Sequence, residues 1–197
     1  MRVKTGILGG TFDPPHIGHL ILAQEAGEAL GLDRVIFVPA AQTPLKEGAP
    51  VAPAAARLAM VGAAVAQHGP SWEVSDWEIR RGGISYSVHT AEYFHGRFPD
   101  AELFWIIGAD QLARLATWFR IGELAKLVSF AVAHRAESPP PERPQGLDAG
   151  VRLLELPVRR VDISSTEIRA RLSRGAPVDL FLPEAVSRLI ERERFYR

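Results

Sequence analysis

Four short apolar runs, at residues 3–8, 35–38, 103–107 and 128–133, are separated by segments long enough to form helices. Their β-branched and aromatic content suits strands covered on both faces rather than helices. Helical connections between such strands impose parallel pairing, because a right-handed crossover returns the chain to the same end of the sheet. The pattern therefore predicts an α/β fold, a doubly wound parallel sheet with helices on both faces. Between the first two runs, Pro14 and Pro15 forbid an earlier helix start and Gly31 offers a stop, which sets Ile17–Leu30 as a helix. Residues 54–67 read as another. The proline-bearing stretches 42–53 and 138–145 read as loops. A C-terminal helical segment, about 164–197, reads as helix, a turn at Gly175 and Pro177, then helix. No repeat and no compositional break divides the chain, so residues 1–197 are expected to form a single domain with that helical part packed on it.

The 197 residues are 47% hydrophobic and 23% charged, enough for a core and too apolar for a disordered chain. Lys and Arg number 23, as do Asp and Glu. No global field then draws the protein to nucleic acid or to an anionic membrane, so any phosphate must be held by a local cluster. Small-molecule partners are expected, with no nucleic acid and no membrane, and a homo-oligomer is left open. Zero cysteines exclude disulfides, thiolate catalysis and Cys-type zinc sites. The first five residues lack the apolar core of a signal peptide, and no run approaches the ~18 apolar residues of a membrane span. A cytoplasmic location is expected.

In open α/β sheets ligands sit beyond the carboxyl ends of the strands. After the first run comes Gly9-Gly10-Thr11-Phe12-Asp13-Pro14-Pro15-His16-Ile17-Gly18-His19. Two glycines admit a close ligand, Thr11 adds a hydroxyl, and His16 and His19 share one face at the start of a helix. Free amides and the positive dipole end there favour a phosphate. A Gly-Gly pair alone is an ordinary turn and a His pair alone is more often structural; the composite is what points to chemistry. It differs from the Gly-x-Gly-x-x-Gly fingerprint, which disfavours hydride transfer. A metal-hydrolase reading of His16 and His19 lacks a third ligand at recognisable spacing, and no protein metal site is assigned.

A second cluster is Asp162-Ile163-Ser164-Ser165-Thr166-Glu167-Ile168-Arg169. Ser164 and Glu167 have capping-box spacing, which makes Ser164 the N-cap and leaves amides near Ser165 and Thr166 pointing outward, with Arg169 one turn later. An ordinary capped helix would look the same in isolation. Arg159, Arg160, Arg171 and Arg174 add local positive charge and favour a polyphosphate site.

Together, Gly-Gly-Thr-Phe-Asp-Pro-Pro-His-Ile-Gly-His and Ile-Ser-Ser-Thr-Glu-Ile-Arg resemble the nucleotidyltransferase superfamily with the His-x-Gly-His signature. More narrowly the chain is similar to the bacterial nicotinate-nucleotide adenylyltransferase family over nearly its whole length. Three further stretches carry that resemblance: Arg81-Gly82-Gly83-Ile84-Ser85-Tyr86-Ser87-Val88-His89-Thr90; Ile106-Ile107-Gly108-Ala109-Asp110 continuing to Thr117-Trp118-Phe119; and Leu182-Pro183-Glu184-Ala185-Val186. Where the family has Ser-Tyr-Thr followed by x-Asp-Thr, this chain has Ser87 in place of the first Thr and His89 in place of the Asp, while Thr90 matches the last.

The resemblance implies a Rossmann-like fold and the reaction of ATP with nicotinate mononucleotide to give deamido-NAD and pyrophosphate, with Mg2+ accompanying ATP. It assigns His16, His19, Thr11 and Arg169 to catalysis, with Gly9 and Gly10 beside them in the ATP site. Ser165, Thr166 and Arg169 would hold the departing pyrophosphate, Gly108 and Asp110 would meet the ribose, and Arg135 would flank adenine. For Asp110 a plain helix-capping role stands beside the ribose role. For the mononucleotide the resemblance implies Lys46, Ser85, Tyr86, Thr90, Trp118 and Phe119, with Trp118 stacking on the pyridine ring. An acceptor such as nicotinamide mononucleotide or phosphopantetheine, and a non-catalytic nucleotide sensor on the same fold, are the competing readings.

Overall fold

The computed structural model describes residues 2–44 and 50–196. Its strands are β1 (Lys4–Gly10), β2 (Arg34–Pro39), β3 (Trp72–Val74), β4 (Glu102–Gly108), β5 (Ser129–Arg135) and β6 (Leu153–Val158). They form one sheet in the order β3-β2-β1-β4-β5-β6, with every neighbouring pair parallel. The helices are α1 (Ile17–Leu30), α2 (Ala54–Val65), α3 (Trp77–Arg81), α4 (Ser87–Arg97), α5 (Ala109–Leu112), α6 (Ile121–Leu127), α7 (Ser165–Ser173) and α8 (Glu184–Glu193), with a 3-10 turn at Leu115–Thr117. Among the described residues no helix is long and apolar enough to cross a membrane.

The alternation of strand side chains builds two cores. Val35 and Phe37 of β2 point to one face with Leu8, Ile106 and Ala131, where α1, α2, α7 and α8 bring Ala23, Met60, Ile168 and Ile190. Ile36 and Val38 point to the other with Ile7, Trp105, Ile107 and Phe130, where α4, α5 and α6 bring Phe94, Leu112 and Leu124. Each Val, Leu, Ile, Phe or Met among them, fully buried, stabilises the fold by about 1.5–3 kcal/mol, and this double covering is what the continuous apolar runs announce. Helix α1 ends as its sequence predicts: Gly31 adopts the left-handed conformation at φ 60° and its N–H bonds to the Gly27 carbonyl.

Two strands and four helices lie outside the sequence-based expectation. Among the described residues the three-residue β3 pairs only with β2, and β6 only with β5. Edge strands need no unbroken apolar run, and β6 carries exposed Glu155 and Pro157, the latter tolerated because an edge residue owes no second hydrogen bond. The short helices α3, α5 and α6 span five, four and seven residues, below the length at which periodicity is readable. The helix expected over 54–67 stops at Val65.

Winding reverses between β1 and β4: one half of the sheet grows toward β3, the other toward β6. The loops leaving β1 and β4 therefore diverge and open a crevice at their carboxyl ends.

Candidate active site

The segment from Thr11 to His16 carries the chain from β1 into α1. Phe12 takes the left-handed conformation at φ 51°, which costs a non-glycine residue roughly 1–2 kcal/mol. Its ring is 2% exposed, and that burial offsets the strain at about 1.5–3 kcal/mol. Gly10 eases the ring's return, since a Cβ there would press on it at 3.1 Å. His16 forms the N-cap of α1, and its backbone N–H donates to Nδ1 of His19 at 3.1 Å. That bond places the neutral ring's proton on Nε2 of His19. The two imidazoles stack with centroids 3.7 Å apart, and Phe12 sits edge-on to His19 at 4.9 Å. Gly18 leaves room for the stacked ring: a Cβ there would press on Nδ1 of His16 at 3.0 Å, closer than an ordinary contact. The Thr11 hydroxyl lies 3.1 Å from that of Thr43.

His16 is 7% exposed, its Nδ1 has no hydrogen-bond partner, and burial lowers its pKa to about 4. The ring is neutral at pH 7. An unfolded chain binds a proton near pH 6.5 that the folded chain excludes, so stability present above pH 6.5 is lost as pH falls toward 4, by about 3 kcal/mol. Urea unfolding across this window is expected to show wild type losing stability faster than His16→Asn; parallel profiles would refute a buried neutral ring.

Helix α7 docks against this same turn from the far end of the sequence. Ser164 caps it, accepting the Glu167 N–H at 3.2 Å. The Ser165 hydroxyl donates to the Pro14 carbonyl at 2.8 Å, and Nη1 of Arg169 donates to the Asp13 carbonyl at 2.7 Å. Nη2 of Arg169 reaches the Thr166 hydroxyl at 3.3 Å. The histidine turn and the helix N-terminus, 151 residues apart at Pro14 and Ser165, thus form one surface. Part of the positive charge read around α7 is neutralised: Arg159 pairs with Glu25, and Arg160 and Arg135 both pair with Asp162.

Beneath the turn lies a polar network that the sequence reading did not find. Asp13 is 4% exposed. Its Oδ1 accepts from the Ala52 N–H at 3.0 Å and the Tyr196 hydroxyl at 2.7 Å, and its Oδ2 accepts from the Val51 N–H at 2.8 Å. Burial, then the hydrogen bond to Asp13, raises the Tyr196 pKa. Arg57 is 1% exposed on α2. Burial lowers its pKa, with Asp13 opposing. It is the one charged residue in the run Ala-Ala-Ala-Arg-Leu-Ala-Met-Val-Gly-Ala-Ala-Val, and that isolation was the available signal.

Beside the turn, at the ends of β1 and β4, is a cavity of about 360 Å3. Gly9, Gly10, Ser85, Tyr86, Trp118 and Phe119 line it, as do Glu78, Ser87 and Trp105. Trp118 is half-buried and edge-on to Phe130 at 6.3 Å. Tyr86 and Phe119 pack with centroids 4.4 Å apart, and Phe119, 48% exposed, forms the rim. Ser87 retains a hydroxyl at the wall where the family has Thr. His89 does not line the cavity but packs edge-on to Tyr86 and Phe119 at 5.9 and 6.1 Å. Thr90 also stands outside the lining: it is fully buried and donates to Oε1 of Glu78 at 2.5 Å. Burial raises the Glu78 pKa, opposed by hydrogen bonds from Ser85 and Thr90. Asp110 is exposed in the first turn of α5, and a Cβ at Gly108 would strike its Oδ1 at 2.6 Å. Gly108 thus gives the carboxylate room, while its N–H donates to Gln111 Oε1 at 3.1 Å. Lys46 lies outside the described residues.

A histidine turn joined to a helix N-terminus, beside a ring-lined cavity at a sheet switch point, suits a nucleotidyl transferase, and the comparisons agree on that class. Residues 7–171 match the cytidylyltransferase-like family, and the chain belongs to it. Within that class it groups with the nicotinate-nucleotide adenylyltransferases. A protein of Opitutus terrae named "Probable nicotinate-nucleotide adenylyltransferase" is 45% identical over 196 residues, covering 99% of this chain and 98% of its own. One of the same name from Methylacidiphilum infernorum is 41% identical, covering 98% and 92%. The solved Plasmodium falciparum nicotinic acid mononucleotide adenylyltransferase complexed with NaAD superposes with a TM-score of 0.75 at 14% identity, covering 98% of this chain and 97% of that one. At that identity the likeness speaks for the fold.

Proposed function

We propose that this chain transfers the adenylyl group of ATP to nicotinate mononucleotide, releasing pyrophosphate and forming deamido-NAD in NAD biosynthesis. The observation that carries this reading is the docking of Ser165 and Arg169 onto the Pro14 and Asp13 carbonyls, which joins both phosphate motifs into one cradle next to an aromatic cavity. A mononucleotide phosphate oxygen attacks the α-phosphorus in line, the bond to the bridging oxygen breaks, and pyrophosphate departs. Such a transfer needs positioning and charge neutralisation rather than a covalent nucleophile.

In this reading His19, His16 and Thr11 contact the triphosphate, with the Gly9 and Gly10 backbone beside it. Ser165, Thr166 and Arg169 hold the departing pyrophosphate. Asp110 accepts from a ribose hydroxyl and Arg135 flanks adenine. Trp118 stacks on the pyridine ring, Ser85 and Tyr86 border its carboxylate, Phe119 covers the mouth, and Thr90 acts by fixing Glu78. Among the described residues no three His, Asp or Glu side chains gather as a metal cage requires. In this reading magnesium enters with ATP as its counter-ion, held by phosphate oxygens and part of the substrate. The whole described chain serves as one catalytic unit acting on small molecules.

Pyrophosphate release with MgATP against nicotinate mononucleotide, nicotinamide mononucleotide and phosphopantetheine in parallel tests the assignment. Turnover is expected with the first; none with any acceptor would leave a nucleotide sensor. A flat aromatic slot argues against phosphopantetheine, whose chain offers no ring to stack. Trp118→Ala is expected to raise KM for the mononucleotide about 10-fold, in line with ~0.5–1.5 kcal/mol per aromatic pair plus lost burial, while KM for ATP holds. Equal loss for both substrates would count against stacking.

A further inference from the structure

Burying a guanidinium is expensive: the desolvation penalty is several kcal/mol per ion, and an apolar side chain of similar volume often serves stability as well. Arg57 nonetheless sits sealed under the active-site floor, and its three bonds go to three different segments. Nη1 donates to the Thr11 carbonyl at 2.7 Å, Nη2 to the Ala41 carbonyl at 3.3 Å, and Nε to the Ala52 carbonyl at 3.3 Å. Thr11 belongs to the phosphate turn. Ala41 belongs to the strip after β2 that is stitched to the acceptor cavity: its N–H donates to the Ser85 hydroxyl at 2.9 Å, and the Ser85 N–H donates to the Gln42 carbonyl at 2.8 Å. The hydroxyls of Thr11 and Thr43, 3.1 Å apart, span the same seam nearer solvent.

We propose that Arg57 is a positioning residue that fixes the spacing between the triphosphate cradle and the acceptor cavity, so that the two bound substrates meet in line. The proposal rests on the adenylyl-transfer reading above. Arg57 touches neither substrate; it holds the backbone of Thr11 and, through Ala41 and Ser85, one wall of the ring slot. Only a planar fork reaches divergent carbonyls at once, and lysine keeps the charge beside Asp13 without that fork. Each half-site survives in such a variant while their separation relaxes, and a displacement of about 1 Å costs on the order of 100-fold in rate.

Single-turnover rates and steady-state constants for wild type, Arg57→Lys and Thr43→Val, with ATP and nicotinate mononucleotide, provide the test. Arg57→Lys is expected to lower the single-turnover rate ~10–100-fold with KM for each substrate within ~3-fold, at undiminished folded fraction by circular dichroism. Thr43→Val, a half-buried change on the same seam, is expected to lower it ~3–10-fold, and the pair is expected to combine non-additively. A wild-type rate in Arg57→Lys, a loss that only tracks the folded fraction, or a rise in KM at constant rate would overturn the proposal. Should Arg57→Lys fail to fold, Thr43→Val alone decides: a wild-type rate overturns, a reduced rate at unchanged KM supports. Absence of pyrophosphate release by wild type would strike the functional reading instead, so the two failures are distinguishable.

Discussion

His19→Ala is expected to lower kcat by ~100- to 1,000-fold while KM for ATP changes by less than about 5-fold, the signature of a donor whose interaction strengthens as charge develops on the transferring phosphoryl group. The expectation follows from how firmly the ring is held. Nδ1 accepts the His16 N–H at 3.1 Å, one face stacks on His16 at 3.7 Å, and Phe12 presses edge-on at 4.9 Å. A donor fixed this way needs no reorganisation at the moment of reaction, which is where preorganised groups gain their catalytic effect. The bond at Nδ1 also dictates which nitrogen donates, so His19→Gln, which can present an amide N–H without the stacked ring, is expected to recover only part of the loss. Steady-state kinetics with both substrates varied reads this directly; an unchanged kcat would remove His19 from the charge-stabilising role.

The same arrangement explains how far the sequence can be read. Strands β1, β2, β4 and β5 were legible because both faces are covered, so their side chains are apolar without interruption. Edge strands β3 and β6 were not, because one edge is free and half the side chains meet solvent. In the site, the histidine turn and the Ser164–Arg169 cap were legible because their chemistry is carried by side chains at fixed local spacing. That the two halves touch is not local information. Neither is the hydrogen bond from Thr90 to Glu78, nor the pairing of Arg159 with Glu25, which are 134 positions apart. Arg57 was the least readable, since its hydrogen-bond partners are backbone carbonyls and leave no trace in residue type. Composition around α7 overstated the free positive charge because Arg159 and Arg160 are taken up by Glu25 and Asp162.

The largest stability effect is expected at Asp13. Asp13→Ala orphans the Val51 and Ala52 N–H groups and the Tyr196 hydroxyl, takes the carboxylate 4.0 Å from Arg169 away, and leaves the Arg57 charge buried without its opposing neighbour. Each of the three buried donors left unsatisfied costs about 1–3 kcal/mol, so the loss is at least ~3 kcal/mol, which at this chain length moves Tm by roughly 2–4 °C per kcal/mol, or at least ~6 °C. Tyr196→Phe removes one donor only and is expected to cost about 1 kcal/mol. If the uncompensated guanidinium dominates, then Asp13→Ala combined with Arg57→Met is expected to be more stable than Asp13→Ala alone by ~1–2 kcal/mol, because the second change deletes the stranded charge. Urea unfolding of the two single variants and the double variant closes the cycle. A double variant no more stable than Asp13→Ala would assign the loss to the orphaned donors around residues 51, 52 and 196 rather than to the charge beneath the phosphate turn.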